Sequence, residues 1–176
     1  MPQCGSKKME RYRVNFNNHI NNGWGILLVI GIGVFFPYFM SWIKHEDIKS
    51  FNWTGILIFF VGALPALIIH INYYIVNFGD VFEYFDQKKQ ITIYHNSKAT
   101  TFSFDDIDYV QRSMSWNKAA KRSFIFTWEG YNHSYIHLKD GRRFTITSLL
   151  VPDLELPIEK EKIIVKENFY RLAKSY

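Results

Sequence analysis

The sequence has little of what would make it a disordered chain, a coiled coil or a disulfide-bonded scaffold. Only 21% of its 176 residues are charged, and it has a single cysteine, Cys4. Disordered chains and coiled coils carry more charge, and small secreted scaffolds carry several cysteines. We interpret Cys4 as a free thiol in an N-terminal tail. The chain is instead rich in apolar side chains: 48% of its residues are hydrophobic, among them 16 Phe and 11 Tyr.

Two long stretches without formal charge lie before residue 77. The first, residues 24–43, would span about 30 Å as a helix, which is the thickness of the hydrocarbon core of a bilayer. The second, residues 53–76, contains one ionisable side chain, His70. A charged segment of only nine residues, 44–52, separates the two stretches. This arrangement predicts two transmembrane helices that form an antiparallel hairpin.

Two alternatives to a membrane hairpin are a pair of buried core helices and a secretory signal peptide. The rest of the chain is too small to cover two such helices, and no small-residue cleavage pattern follows the first stretch. Trp24, Trp42 and Trp53 lie at the ends of the stretches, where indole rings favour the headgroup layer. These observations favour the membrane.

The distribution of Lys and Arg predicts the orientation of the hairpin. Six of these residues lie near the spans on the side of the chain termini, whereas the connecting segment 44–52 has two. Cytoplasmic segments carry the excess of Lys and Arg in membrane proteins. We therefore predict a multi-pass protein of the cell (inner) membrane with both termini in the cytoplasm.

Small residues inside the two stretches predict how the helices pack. Gly31, Gly33, Gly62 and Ala66 would allow close approach of the backbones, either within one hairpin or between two copies of the chain. An ionisable residue in a membrane span is a functional candidate, but no Asp, Glu, Lys or Arg accompanies His70 in the spans. We therefore predict that His70, which would lie at the depth of Gly31 in the antiparallel helix, fills a gap beside this glycine, with a proton relay as the alternative.

After Asn77 the hydrophobic pattern changes to alternation, which is typical of strands. The sequence divides into a basic cytosolic tail (1–23), the hairpin (24–76) and a soluble domain (80–176). An amphipathic helix is predicted at residues 158–175. The strands are predicted at residues 81–85, 90–95, 100–104, 109–113, 123–129, 134–139 and 143–147.

The strongest local patterns are residues 101–110, which suggest a strand, an acidic corner and another strand, and residues 135–144, which suggest a hairpin. With seven strands and a final helix, the domain resembles the pleckstrin-homology-like (PH-like) fold, and the chain resembles bacterial membrane-anchored PH-like proteins. The expected fold is a transmembrane helical hairpin followed by a mainly-β barrel with a C-terminal helix. The resemblance implies a module for protein binding or self-assembly, without catalysis.

Basic residues cluster in the predicted loops and are candidates for contacts with anionic lipid or with a protein partner. The phosphate-binding members of this fold gather cations from the first, third and sixth loops, but the third loop here is acidic, with Asp105, Asp106 and Asp108. A basic run lies in the fourth loop instead. A solvated surface is the alternative to binding. The candidates are Lys88, Lys89, Trp116, Lys118, Lys121, Arg122, Arg142 and Arg143.

No pattern in the sequence predicts a cofactor, a metal site or a catalytic centre. His133 and His137 are four residues apart on a predicted strand, without a nearby cysteine to complete a metal site. The chain has no nucleophile elbow and no phosphate-binding glycine loop. It also lacks a motif for reading nucleic acid. The chain is expected to be non-enzymatic and to bind lipid and protein rather than nucleic acid.

Overall fold

The computed structural model describes residues 9–85, 88–95 and 97–175, and it contains two four-stranded sheets together with two long apolar helices. Residues 1–8 of the predicted tail, including Cys4, lie outside the described residues. The first sheet is antiparallel with the order β1-β2-β3-β4. Its strands are β1 (Met9–Arg13), β2 (Val81–Phe85), β3 (Gln90–His95) and β4 (Lys98–Ser103).

Strand β1 lies in the segment that the sequence predicts to be a tail. Met9 pairs with Phe85 and Arg13 pairs with Val81, so the sheet contains strands from both sides of the helical hairpin. The domain therefore does not begin after the hairpin: the hairpin leaves the sheet after β1 and returns at β2. This edge strand has no apolar alternation that would predict it, because three of its five residues are charged: Glu10, Arg11 and Arg13.

The two long helices lie antiparallel and contact each other along their length. The first is α1 (Phe16–Lys44). The second consists of α2 (Asn52–Ile58), a π-helical turn (Phe59–Ala63) and α3 (Leu64–Val76). Pro65 is the second residue after the π-helical turn, and local π adjustments accommodate a residue that cannot donate its backbone hydrogen bond.

The second sheet has the order β7-β6-β5-β8. It consists of β5 (Ile107–Met114), β6 (His133–Leu138), β7 (Arg143–Thr147) and β8 (Ile163–Glu167). The first three strands are antiparallel, whereas β8 pairs with β5 in parallel. A short helix, α4 (Trp116–Ala119), follows β5.

Two predicted elements differ from the structure. The predicted C-terminal helix (158–175) is wrong, because Ile163–Glu167 forms strand β8 and its β-branched Ile163, Ile164 and Val165 favour an extended backbone. The predicted strand 123–129 is also absent. There the backbone N–H groups of Ile125 and Phe126 donate to the carboxylate of Glu129 instead of to a neighbouring strand.

The main core lies between the two sheets. Its largest fully buried members in the sheets are Phe82, Ile91 and Ile93 from the first sheet and Ile107, Ile136 and Ile146 from the second. A second buried cluster joins the helices to the sheet domain, and it includes Ala66, Ile69, Tyr73, Trp128 and Leu149. The hairpin and the domain therefore share a core.

Candidate functional site

The contact between the two helices is closest at Gly33 and Gly55. A Cβ atom at Gly55 would collide with the carbonyl oxygen of Gly33, and a Cβ at Gly33 would lie 3.2 Å from the carbonyl oxygen of Gly55. Farther along the pair, a Cβ at Gly62 would lie 2.7 Å from Val29. Gly33 and Gly62 thus lie at the contact between the two helices, and Ala66 is fully buried.

The structure places Gly31 and His70 differently from the prediction. A Cβ at Gly31 would have no described atom within 4 Å. The glycine beside His70 is Gly23, where a Cβ would lie 3.4 Å from the imidazole ring. The reason is that α1 begins eight residues before the predicted span and continues into the domain, which shifts the pairing of the helices.

Asparagine side chains of α1 connect this helix to the domain. The Asn18 amide donates to the carbonyl oxygen of Leu149 at 2.7 Å, and the Asn22 amide donates to that of Ser148 at 3.3 Å. The two asparagines are four residues apart and therefore share a helix face. This face carries amides because it contacts the polypeptide backbone of the domain.

Asn77, at the end of α3, makes a closer connection to the edge strand β7. The side-chain NH2 group of Asn77 donates to the Thr145 carbonyl oxygen at 2.8 Å, and the side-chain oxygen of Asn77 accepts from the Thr147 N–H at 2.9 Å. A neighbouring β-strand would satisfy the same two backbone groups. The Asn77 side chain is fully buried. The end of the hairpin thus acts as a substitute strand.

A chain of polar rings lies in the same region of contact between the helices and the sheet domain, which we call the polar junction. His19 Nδ1 lies 2.8 Å from His70 Nε2, and His70 Nδ1 lies 2.7 Å from the Tyr131 hydroxyl. His70 is therefore covered by the sheet domain and by α1. The Tyr73 hydroxyl lies 2.9 Å from His133 Nδ1. The packing role of His70 stays a prediction.

The surroundings of His133 in the polar junction lower its pKa. Burial, together with the nearby Arg171 guanidinium, lowers the pKa of His133 to about 4, so this imidazole is neutral at physiological pH. Arg171 is itself buried and donates to the carbonyl oxygens of Trp128 and Asn168, both at 2.6 Å. Among the described residues, no group of three potential metal ligands comes together.

The predicted basic surface is divided between two ends of the domain. Lys88 and Lys89 follow β2, whose five residues extend about 15 Å from the hairpin. The Phe104 N–H donates to the Lys89 carbonyl oxygen, and the Lys139 N–H donates to that of Asp106. These bonds place three turns together in what we call the far-end surface: Lys88, Lys89, Asp105, Asp106, Lys139, Asp140 and Arg142.

Several predicted cations are occupied by contacts within the chain. The guanidinium of Arg142 forms an ion pair with Asp140 at 2.6 Å. Arg143 donates to the carbonyl oxygen of Ser175 at 3.1 Å and lies over the Tyr135 ring. Lys118 forms an ion pair with Asp153 at 3.0 Å and also donates to the backbone. The sequence could not reveal the contacts of Arg143 and Lys118, because Ser175 and Asp153 are distant in the chain. Asp140, in contrast, is only two residues from Arg142.

The fourth loop is the basic segment nearest the hairpin. The Arg122 guanidinium lies 4.8 Å from the centre of the Trp116 ring, and both side chains are exposed, as is Lys121. The adjacent Phe124, Ile125 and Phe126, which we call the apolar loop, are exposed as well.

The apolar loop is missed by sequence analysis because its residues fit a strand pattern. The available signal was three consecutive apolar residues a short distance after Lys121 and Arg122, with Glu129 placed to accept their backbone hydrogen bonds. The polar junction had a clearer signal: Asn18, Asn22 and Asn77 stand at helix ends that the prediction placed at or near the membrane surface.

The family of the chain follows from a comparison with protein-family models. The model of a PH domain matches residues 11–158. The chain belongs to this PH domain family. The search of curated proteins and the search of solved structures gave no match.

The PH domain match agrees with the sheet topology. It begins within β1 and continues past β7, and it includes both apolar helices. Strand β8 lies outside the matched residues. Six of the seven predicted strands are present among the described residues, and the remaining antiparallel strand there is β1, which was not predicted. The PH-like fold is thus confirmed, whereas the predicted C-terminal helix is not part of it. A PH domain is a module for binding protein or lipid, which leaves the partner of this chain to be identified.

Proposed function

We propose that this PH domain protein is anchored in a membrane by its two helices and presents a non-catalytic interaction module at the cytoplasmic face. The observation that carries this proposal is the exposure of the helices. Both are long and apolar enough to cross a membrane, yet in their most apolar stretches only 11% and 22% of the residues are buried. A core helix of a soluble protein would have most of this surface covered. Lipid is the solvent that suits the exposed apolar surface of these two helices.

The attachment of the hairpin supports a module with a fixed orientation. The helices join two adjacent strands, β1 and β2, and the amides of Asn18, Asn22 and Asn77 bond to the domain. A domain connected through a flexible linker would sample many orientations. Here the far-end surface points away from the hairpin, toward partners in the cytoplasm.

The charge pattern favours a protein partner at the far-end surface. This surface combines the cations Lys88 and Lys89 with the exposed carboxylates Asp105 and Asp106. Mixed charges of this kind repel a polyanionic headgroup in part, whereas they can complement a protein surface of the opposite pattern. A second copy of the chain is included among the possible protein partners.

The proposal predicts loss of the partner when the far-end charges are reversed. Full-length protein carrying Lys88→Glu and Lys89→Glu would be crosslinked in its native membrane and purified. We expect the crosslinked partner seen with the unmodified chain to be lost, because two attractive contacts become repulsive. The matched control is Lys121→Glu with Arg122→Glu, which has the same charge change near the hairpin and should keep the partner. Recovery of monomer alone from the unmodified chain would contradict the proposal.

The second candidate function is binding of anionic lipid by the PH domain. The observation that favours it is the exposed Arg122–Trp116 pair beside the hairpin. Tryptophan and arginine are common at the boundary between lipid and water. The far-end cations would not take part, because they lie at the opposite end of the domain.

A further inference from the structure

We propose that the apolar loop (Phe124, Ile125 and Phe126) inserts into the cytoplasmic leaflet of the bilayer that the hairpin crosses. This inference rests on the proposed membrane anchoring and adds a second point of contact between the PH domain and lipid. The occupant of the surface is the lipid beside the helices.

The first argument is the position of the apolar loop along the hairpin. The Thr127 hydroxyl donates to the carbonyl oxygen of Gly62 at 2.6 Å, and a Cβ at Gly25 would lie 3.5 Å from the Thr127 side chain. Gly62 is 14 residues before the end of α3, or about 20 Å along the helix axis. The domain therefore lies alongside the helices for about this distance from their cytoplasmic ends, and it reaches the level of the predicted span.

The second argument is the exposure of the loop at this level. Ile125 is 77% exposed and Phe124 is 53% exposed. The two residues line a groove of about 530 Å³ together with Trp24 and Leu28 of α1. The apolar surface of the loop is thus continuous with the apolar surface of the helix, and a solvent that covers one covers the other.

The third argument is that the loop is held in this conformation by buried groups. The carboxylate of Glu129 is buried and accepts from the N–H groups of Ile125 and Phe126, and it also accepts from the Asn117 amide at 2.8 Å. The Ser115 hydroxyl donates to the Glu129 carbonyl oxygen at 3.0 Å. A fixed loop that exposes three apolar side chains is a costly arrangement in water.

The C-terminal segment adds to the same surface. The ring of Phe169 lies edge-on to Phe126 and Trp128, with centroids 5.7 and 5.6 Å apart, and it is 66% exposed. The Tyr170 hydroxyl donates to the carbonyl oxygen of Pro65 at 3.3 Å. Lys121 and Arg122 precede the loop and would face the lipid phosphates. Aromatic and apolar side chains flanked by cations are typical of an interfacial membrane contact.

Fluorescence depth measurement with the full chain tests the insertion. In a Cys4→Ser background, Ile125→Cys is labelled with an environment-sensitive dye and reconstituted in vesicles of phosphatidylcholine and phosphatidylglycerol. Matched labels are placed through Phe35→Cys, on the exposed face of α1, and through Asp105→Cys, on the far-end surface. All three side chains are exposed, so labelling leaves the core intact.

The inference predicts that the label at position 125 resembles the label at position 35. Both should emit at shorter wavelength and lose emission to nitroxide-bearing lipid, with little loss to aqueous iodide, while the label at position 105 shows the opposite. A label at 125 that behaves like the one at 105, while the label at 35 is quenched by lipid, would overturn the insertion and leave the anchoring in place. A water-exposed label at 35 would overturn the anchoring itself, and the insertion with it.

Discussion

Gly55→Leu is expected to destabilise the helical hairpin strongly, because a side chain at this position has no space. Even a Cβ atom would collide with the carbonyl oxygen of Gly33, and it would also lie 3.1 Å from the Pro37 ring. The obstacle is backbone, which cannot change rotamer to make room. The helices must separate, and the contact between Gly62 and Val29 is then weakened as well. Overpacking costs roughly 1–3 kcal/mol, and more where the neighbours are rigid. We therefore expect the loss of unfolding free energy for Gly55→Leu to lie at the upper end of this range.

Gly31→Leu is the matched control for the hairpin experiment. It adds the same side chain and gains the same helix propensity, but a Cβ at Gly31 has no described atom within 4 Å. Reversible unfolding in mixed micelles, followed by circular dichroism, would measure both variants. We expect the free energy of unfolding to decrease for Gly55→Leu and to stay close to that of the unmodified chain for Gly31→Leu. Equal effects would show that the Gly33–Gly55 contact is absent.

Asn77→Leu is expected to loosen the PH domain from its hairpin. The substitution keeps a side chain of similar size but removes three hydrogen bonds, to Thr145, Thr147 and Asp80, in a fully buried position. The Thr145 carbonyl oxygen and the Thr147 N–H are then buried at the edge of β7 without these partners. Each such group costs about 1–3 kcal/mol. The expected loss is therefore about 2–6 kcal/mol.

The Asn77 variant is measured by urea unfolding of the full chain in micelles, with protease cleavage between α3 and β2 as a second readout. Asn21→Leu is the matched control, because Asn21 lies on α1 with an exposed side chain. We expect earlier unfolding and faster cleavage for Asn77→Leu only. An unchanged Asn77 variant would show that the hairpin and the domain are joined by chain connectivity alone.

The fold was predictable where one physical rule dominates. Continuous apolar runs indicated both helices, and strands β2, β3 and β7 have the bounds that alternation predicts. The start of α1 was missed by eight residues because Asn17, Asn18 and His19 are polar. The Asn18 amide bonds to the domain and His19 contacts His70 of the other helix. A rule that assigns polar residues to water cannot detect such contacts within the protein.

The remaining errors come from long-range contacts. Strand β1 needs its partner β2, which lies 68 residues later in the chain. Strand β8 needs β5, and without it the segment satisfies a helical pattern equally well. The candidate site shows the same limit: Lys118 looks like a free cation until Asp153 is placed beside it. Local pattern fixes neither the pairing of strands nor the pairing of charges.

The most direct test of the account is the accessibility of the segment between the two helices in intact cells. In the Cys4→Ser background, single cysteines are introduced by Glu46→Cys, between the helices, and by Asp105→Cys, on the far-end surface. A membrane-impermeant maleimide added outside should label position 46 in intact cells and position 105 only after permeabilisation. Labelling of position 105 in intact cells, or protection of position 46 until permeabilisation, would contradict a hairpin that crosses the membrane and holds its PH domain in the cytoplasm.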